Sequence, residues 1–450
     1  MKNTGTLGWA PTSRWSVVAT AWLLGSCSLA LNPEIEAMGE TPFGGSCSDD
    51  AECTTGECRS GRCTQACTSS CPTGGTCGGD GFCTFSGPPP KPRLQVGLLY
   101  VGPVGDHGWT KAHDDGRQYF LEQLDDTSAM FAPSVAATDA AARIEEFVAR
   151  GDNVVIGTSF DFLTAIQSAA LRHPDVNFML CSGFQTGPNL GSYFGRMYQV
   201  MYQAGRLAGQ VTRTNKIGIV GPIVIPETVR HVNAFTQGVR SVNSEAEVVV
   251  EWAFAWFAPE AEAAAANALL DAGVDVVFGH TDTTIPIETA NARNTTESPV
   301  FTIGYDNPDS CTFAEETCIT SAYWNWGPIV TRILEQMQQG TWQPEEAVWD
   351  QMQADPATST AYLAPISTRL VPSAVRLDVE GLVDDLSQPT DRALYLPFLG
   401  PVRDNAGTLR IAEGAMPTDR DLLNMCWHVA GVYDVDGNPA AVPSGCVGDR

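Results

Sequence analysis

The chain has 450 residues, a length that suggests two or three domains. Its 43% hydrophobic content is ordinary for globular cores. The formal net charge of −26 argues against nucleic acid or an anionic membrane face as a direct partner, although a local site for a charged ligand stays open.

Residues 1–26 read as a lipoprotein signal peptide. Lys2 and Arg14 give a positive start, and residues 15–24 form an apolar run too short to span a bilayer. Leu24-Gly-Ser-Cys27 matches a bacterial lipobox and marks Cys27 as the lipidated N-terminus; the alternative is an ordinary signal peptide with an incidental cysteine. Residues 27–46 are small, polar and acidic, as a tether would be.

Residues 47–83 hold eight cysteines: Cys47, Cys53, Cys58, Cys63, Cys67, Cys71, Cys77 and Cys83. Gly, Ser, Thr and Asp fill the gaps, so this segment cannot bury an apolar core and needs cross-links instead. The even count fits four disulfides whose pairing is not readable. Zinc would favour closer Cys-x-x-Cys pairs. Residues 84–93, with Ser86-Gly-Pro-Pro-Pro-Lys-Pro92, form a stiff linker and the clearest domain boundary.

From Leu94 apolar strands alternate with helices, the pattern of an α/β domain with parallel sheets. Strands are expected at 96–101, 153–157, 176–181, 216–220, 247–252, 274–279 and 299–304. Helices are expected at 112–124, 139–150, 161–172, 196–212, 228–242, 259–272, 284–293 and 326–339. Residues 361–450 carry fewer regular signals. The first strand runs into Gly102-Pro-Val-Gly-Asp-His-Gly-Trp-Thr110 and then a helix. Such a loop lies at the carboxyl end of a strand, where open sheets bind ligands. Trp109 at its tip is either a ligand contact or a cap on the core.

That loop, followed by Ala112-His-Asp-Asp-Gly-Arg117, resembles the first ligand loop of the basic membrane protein family, the purine nucleoside receptor-like substrate-binding lipoproteins of ABC transporters. The resemblance continues through Gly157-Thr-Ser-Phe-Asp161, Trp256-Phe257, Gly279-His-Thr-Asp282, Gly304-Tyr-Asp-Asn307 and Tyr323-Trp-Asn-Trp-Gly327. Pro397–Gly407 and Met425–Val432 complete it, so that it spans about 94–435. It implies an α/β, two-lobed periplasmic-binding-protein-like fold with parallel sheets in each lobe, preceded by the disulfide-rich segment. The second lobe is expected at about 214–300, and residues 436–450 as a tail. Cys311 with Cys318, and Cys426 with Cys446, are plausible disulfide partners, leaving Cys181 as a buried thiol.

The resemblance also implies a purine base or nucleoside held in the interlobe cleft, with an ABC permease and ATPase as partners and membrane attachment through the lipid alone. Trp109, Phe160 and Trp256 become stacking residues, and Asp106, Asp282, Asp306 and Asn325 polar readers. Each has a plainer reading. Phe160 and Trp256 suit a core, Asp282 a helix cap, and Asp306 an Asx turn with Asn307 and Pro308. Nucleoside-binding members are expected to carry a lysine at the strand end before the last long helix. Residues 322–327 hold none, and Trp324 stands where Asp is usual in the subgroup sharing this first loop.

Catalytic signals are poor. Gly102, Gly105 and Gly108 lack dinucleotide spacing, no phosphate loop occurs, and the six histidines show no i, i+4 metal pair. No cofactor or metal is expected. His280 with Asp282 is the pair a nucleoside hydrolase would need, without a nucleophile motif. A surface sensor or adhesion lipoprotein on the same fold is the other alternative.

Overall fold

The computed structural model describes residues 57–59, 62–67, 71, 75–85, 93–183, 185–443 and 446. Cys27, Cys47 and Cys53 lie outside them. The chain divides into two units, Met1–Pro90 and Lys91–Arg450.

In the first unit β1 (Cys58–Arg59) pairs antiparallel with β2 (Arg62–Cys63), and β3 (Gly75–Cys77) with β4 (Cys83–Phe85). Disulfides join Cys67 to Cys77 and Cys71 to Cys83, and Cys58 and Cys63 are also disulfide-bonded. Sulfur fills the interior here, with Cys63 and Cys83 buried.

The second unit contains two sheets. The first lobe is built on β5 (Leu94–Leu99), β6 (Thr127–Ala132), β7 (Val154–Gly157), β8 (Asn177–Cys181) and β9 (Leu190–Gly195), with β15 (Val348–Asp350) added at the edge. Its order is β15-β9-β8-β7-β5-β6, all parallel. The second lobe uses β10 (Lys216–Gly221), β11 (Glu247–Trp252), β12 (Val276–Gly279), β13 (Phe301–Asp306), β14 (Cys318–Trp324), β16 (Ala361–Leu363) and β19 (Val432–Tyr433), in the order β16-β14-β13-β12-β10-β11-β19. Only β16 is antiparallel to its neighbour. The inner strands are continuous apolar runs because helices cover both faces. A small hairpin, β17 (Val402–Arg403) with β18 (Leu409–Ile411), stands apart.

The helices preceding and covering these strands are α1 (Trp109–Gln123), α2 (Ala140–Arg150), α3 (Leu163–Arg172), α4 (Met197–Val211), α5 (Pro226–Val242), α6 (Pro259–Asp271), α7 (Ile285–Ala292) and α8 (Trp326–Gln339). Helix α1 starts earlier than expected because Asp106 accepts the N–H groups of Thr110 at 2.8 Å and Lys111 at 3.0 Å, satisfying first-turn donors.

The chain passes between lobes three times. It leaves the first sheet at Gly195–Arg196, returns at Asn325, and crosses again through 351–360. The second lobe therefore begins well before 214 and extends beyond 300. The break near 212–216 is only the α4–β10 turn, tied by Asp275, which accepts from the Thr212 hydroxyl at 2.6 Å and the Thr214 N–H at 3.0 Å. Helix α4 lies against α5 so closely that a Cβ on Gly205 would overlap the Phe235 carbonyl oxygen, and one on Gly238 that of Tyr202.

The three crossings are side by side. Arg196 N–H donates to Asp350 O at 2.8 Å, and Asn325 N–H to Thr360 O at 2.8 Å. The Arg196 guanidinium is buried against the Trp349 ring, 4.1 Å from its centroid. It holds Asp419 through two bonds of 2.7 and 2.6 Å, and Tyr395 donates to the same carboxylate at 2.8 Å. The C-terminal segment thus fastens onto the first crossing. It also binds α5, where Asn233 donates to Trp427 O at 2.7 Å and accepts from Val429 N–H at 2.9 Å. Disulfides join Cys426 to Cys446 and Cys311 to Cys318, and Cys181 is a buried thiol.

Asp419→Ala strands a buried guanidinium. Loss of its charge-assisted bonds is expected to lower stability by about 1.5–3 kcal/mol, read as a fall in the urea midpoint at unchanged slope.

Candidate functional site

The segments after β5, β7 and β8 face those following β10, β11 and β12. Between them lies a narrow cavity of about 20 Å³, room for little more than a water molecule as the lobes stand in this structure. The first lobe lines it with Val101, Trp109, Ser159, Phe160 and Ser182, and the second with Glu227, Trp256 and Asp282. An adjoining opening is bordered by Asp106, Asp161 and Phe257.

Contact across the cleft is close. A Cβ on Gly108 would overlap the backbone carbonyl of Asp282, so the lobes meet backbone to backbone only because that residue is glycine. His107, with φ of 62°, places its ring 4.6 Å from that of Phe313. The Ser182 hydroxyl donates to Glu227 Oε2 at 2.6 Å.

Four of the seven expected ligand residues line the cavity. Trp109 also belongs to the core: its Nε1–H donates to Thr158 O at 2.8 Å, and its ring packs edge-on against Trp324 and Trp326, 5.9 and 5.4 Å away. Phe160 is 38% exposed and is no core residue. Trp256 is half-buried, and its carbonyl accepts the Asp282 N–H at 3.0 Å. Asp282 does not cap α7, whose N-cap is Thr284 and whose Ile285 N–H donates to the Thr283 hydroxyl at 3.1 Å. Its carboxylate forms no hydrogen bond within the described residues, and burial followed by the charges of Asp106, Glu262, Glu227 and Asp161 pushes its pKa well up.

Asp306 lies fully buried at the end of β13 with φ of 65°, and neither carboxylate oxygen has a hydrogen-bond partner among the described residues. The Asx turn belongs to its neighbour Asn307, whose side chain accepts from Asp309 N–H at 2.9 Å. Burial, then Asp282, Asp106 and Glu227, drives the Asp306 pKa well up. Asp106 faces the opening, but both its oxygens are engaged by the backbone of its own loop.

Asn325 is not brought to the cavity. It is the crossing residue before α8, and its side chain donates to Pro356 O at 3.1 Å. Asp282 does not orient His280 as a base. The His280 ring is bonded to His231 at 3.1 Å, packed on Phe278 and Tyr305, and burial lowers its pKa to about 3.

Sequence reasoning missed Ser182 and Glu227. An acid in the first turn of a helix, behind a proline, reads as an ordinary partner of the helix dipole. Ser182 gives no signal apart from its place after a strand. Among the described residues no lysine or arginine lines the cavity, so its side chains offer mainly aromatic faces and acceptor oxygens.

For Asp306 the sign is clear. A carboxyl whose pKa is raised on folding favours the folded state fully below the ordinary carboxylate range, and that advantage is lost as pH rises through the folded value. Asp306→Asn keeps the left-handed backbone and removes the charge. The ligand-free variant should gain melting temperature over the parent by more at about pH 8 than at about pH 5, measured by calorimetry.

The model of the family described as Bmp, ABC transporter substrate-binding protein PnrA-like, matches residues 93–354. A purine-binding protein of Brucella abortus is 32% identical over 344 residues, covering 76% of this chain and 93% of that protein. A Haloferax volcanii protein named as an ABC transporter glucose-binding protein is 36% identical over 283 residues, covering 62% of this chain and 70% of its own. Among solved structures, a Conexibacter woesei ABC transporter solute-binding protein superposes with a TM-score of 0.53 at 22% identity, covering 65% of this chain and 96% of its own. A Bacillus halodurans transcriptional activator of the comK gene gives a TM-score of 0.55 at 22% identity, covering 66% and 98%. These structures share the two-lobed solute-binding fold, and the sequence matches carry the relationship further. The chain belongs to the Bmp family of PnrA-like ABC transporter substrate-binding proteins.

Proposed function

We propose that the protein captures a purine base, or a nucleoside gripped mainly through its base, and delivers it to an ABC permease and its ATPase. The observation that carries this reading is the pairing in one enclosed cleft of Trp109, Phe160 and Trp256 with the unbonded carboxylate of Asp282. Aromatic faces hold a flat ring at about 0.5–1.5 kcal/mol per pair beyond area burial. Carboxylates accept its N–H groups, and leaving such buried acceptors unpaired gives discrimination. The name of the Brucella abortus relative agrees. Asp106, engaged as a cap, holds the loop that presents Trp109, while Asp306 contributes field and acceptor oxygens behind Asp282.

In the same reading Cys27 carries a lipid that anchors the chain on the outer side of a bacterial membrane. Among the described residues no helix is long and apolar enough to cross one.

Trp324 bears on the choice between base and nucleoside. It is buried, stacked on Trp326 at 4.5 Å, and given to the Tyr305 hydroxyl through its Nε1–H at 3.2 Å. A tryptophan pair thus fills the place where a lysine would reach sugar hydroxyls. Such an ionic hydrogen bond is worth about 1.5–3 kcal/mol, and its lack removes the advantage of the ribose.

A second reading is a hexose, favoured by the name of the Haloferax volcanii relative and by the affinity of sugars for the same aromatic and carboxylate groups. Titration calorimetry with adenine, hypoxanthine, guanine, their nucleosides and glucose decides. At least one free base should bind no more weakly than its nucleoside, and glucose should not bind. Nucleosides that all bind about tenfold or more tightly, a difference of about 1.4 kcal/mol, would overturn the reading of 322–327. Glucose binding alone would overturn the purine reading.

A further inference from the structure

Glu227 lies in the first turn of α5, in the second lobe, and is buried. Its Oε2 accepts the hydroxyl of Ser182, which belongs to the first lobe, at 2.6 Å. Its Oε1 has no partner within the described residues, and the side chain lines the cavity. Ser182 lines the same cavity. It sits just past β8 with φ of 59°, a left-handed conformation held by its N–H bond to Tyr193 O at 3.2 Å. The serine is thereby fixed before the other lobe arrives.

We infer that Glu227 is a specificity-determining residue that joins lobe closure to ligand reading: one carboxylate oxygen latches onto Ser182, and the other, aimed by that latch, accepts an N–H of the bound heterocycle. The inference rests on the purine reading for the nature of its ligand, though not for the latch. Before closure the carboxylate can turn about its own bonds. Once Ser182 holds Oε2, Oε1 has one direction left, and it faces the cavity. The charged and titratable groups around it are Arg230 on the same helix, Cys181 from β8, Asp282 from the loop after β12, and Tyr305 and Asp306 from β13. Only Arg230 is a cation, and it is turned to the C-terminal segment, donating to Leu422 O at 2.9 Å. Glu227 therefore has a free acceptor for the ligand and no cation lining the cavity to take it.

The test compares the parent with Glu227→Met, Glu227→Gln and Ser182→Ala, all checked for folding by thermal unfolding without ligand. Adenine, 9-methyladenine and unsubstituted purine are the probes; the second lacks the ring N9–H and the third the exocyclic amine. Glu227→Met should weaken adenine by roughly ten- to a hundredfold. Glu227→Gln, whose amide oxygen still accepts, should restore part of that. One of the two analogues should bind the parent more weakly and be nearly indifferent to Glu227→Met. Ser182→Ala should speed dissociation of all three and, with Oε1 no longer aimed, narrow the gap between adenine and that analogue. Parent-like affinity in Glu227→Met, or an equal loss for all three probes, would overturn the inference. A parent that binds none of them refutes an adenine-type ligand instead. Mass spectrometry of small molecules released on denaturing the parent and Glu227→Met then decides, with retention of the same cargo by Glu227→Met overturning the inference and its loss supporting it.

Discussion

The cleft is organised around carboxyl groups that share a buried space without a cation lining it. Glu227, Asp282 and Asp306 are each at least nine-tenths out of water, and each has its pKa raised first by that burial. Placing several such groups together costs free energy unless protons or hydrogen-bond donors meet them. Asp106 resolves the difficulty locally by taking backbone N–H groups, and Glu227 half resolves it through Ser182. Asp282, which lines the cavity, and Asp306, which does not, keep carboxylate oxygens without a hydrogen bond among the described residues. A donor-rich guest completes the closed state, and an acceptor-rich or anionic one opposes it.

Aromatic packing supplies the other half of the design. Trp109 is shared between core and cavity, and the stacked Trp324–Trp326 pair behind it also touches Phe194. This wall is stiff because every ring in it leans on another and both Trp109 and Trp324 have their N–H groups bonded. A rigid wall loses little freedom when a ligand lies against it, which is the economy of preorganised sites.

Much of the architecture was legible. Helices 326–339 and 259–271 carry clear periodicity or good helix formers, and the apolar runs at 247–252 and 276–279 are strands. Three of the longer strands escaped for separate reasons. Thr127–Ala132 is an edge strand with half-exposed residues, including Met130, and shows no apolar run. Leu190–Gly195 is interrupted by glycine and serine. Cys318–Trp324 buries Thr320 and Ser321, which bond to Ala364 O and Asn307 O, so polar residues occupy an interior strand. At the site, loop motifs pointed to Trp109, Phe160, Trp256 and Asp282, which line the cavity. They misplaced Asn325, because which side of a crossing faces the ligand depends on how 351–360 folds back. Ser182 and Glu227 have meaning only as a pair, and their separation in sequence hides it.

The grouping of the three crossings has a mechanical consequence. Two rigid bodies joined by one flexible link can swing and twist in every direction, whereas three parallel links tied to one another leave essentially one easy axis. The bonds Arg196–Asp350, Asn325–Thr360 and Arg196–Asp419 make the junction such a bundle. Bending about such a pivot would move most the rim, where His107 meets Phe313. Such a joint reports occupancy as a simple opening angle, a one-dimensional signal that a membrane partner can read without touching the ligand.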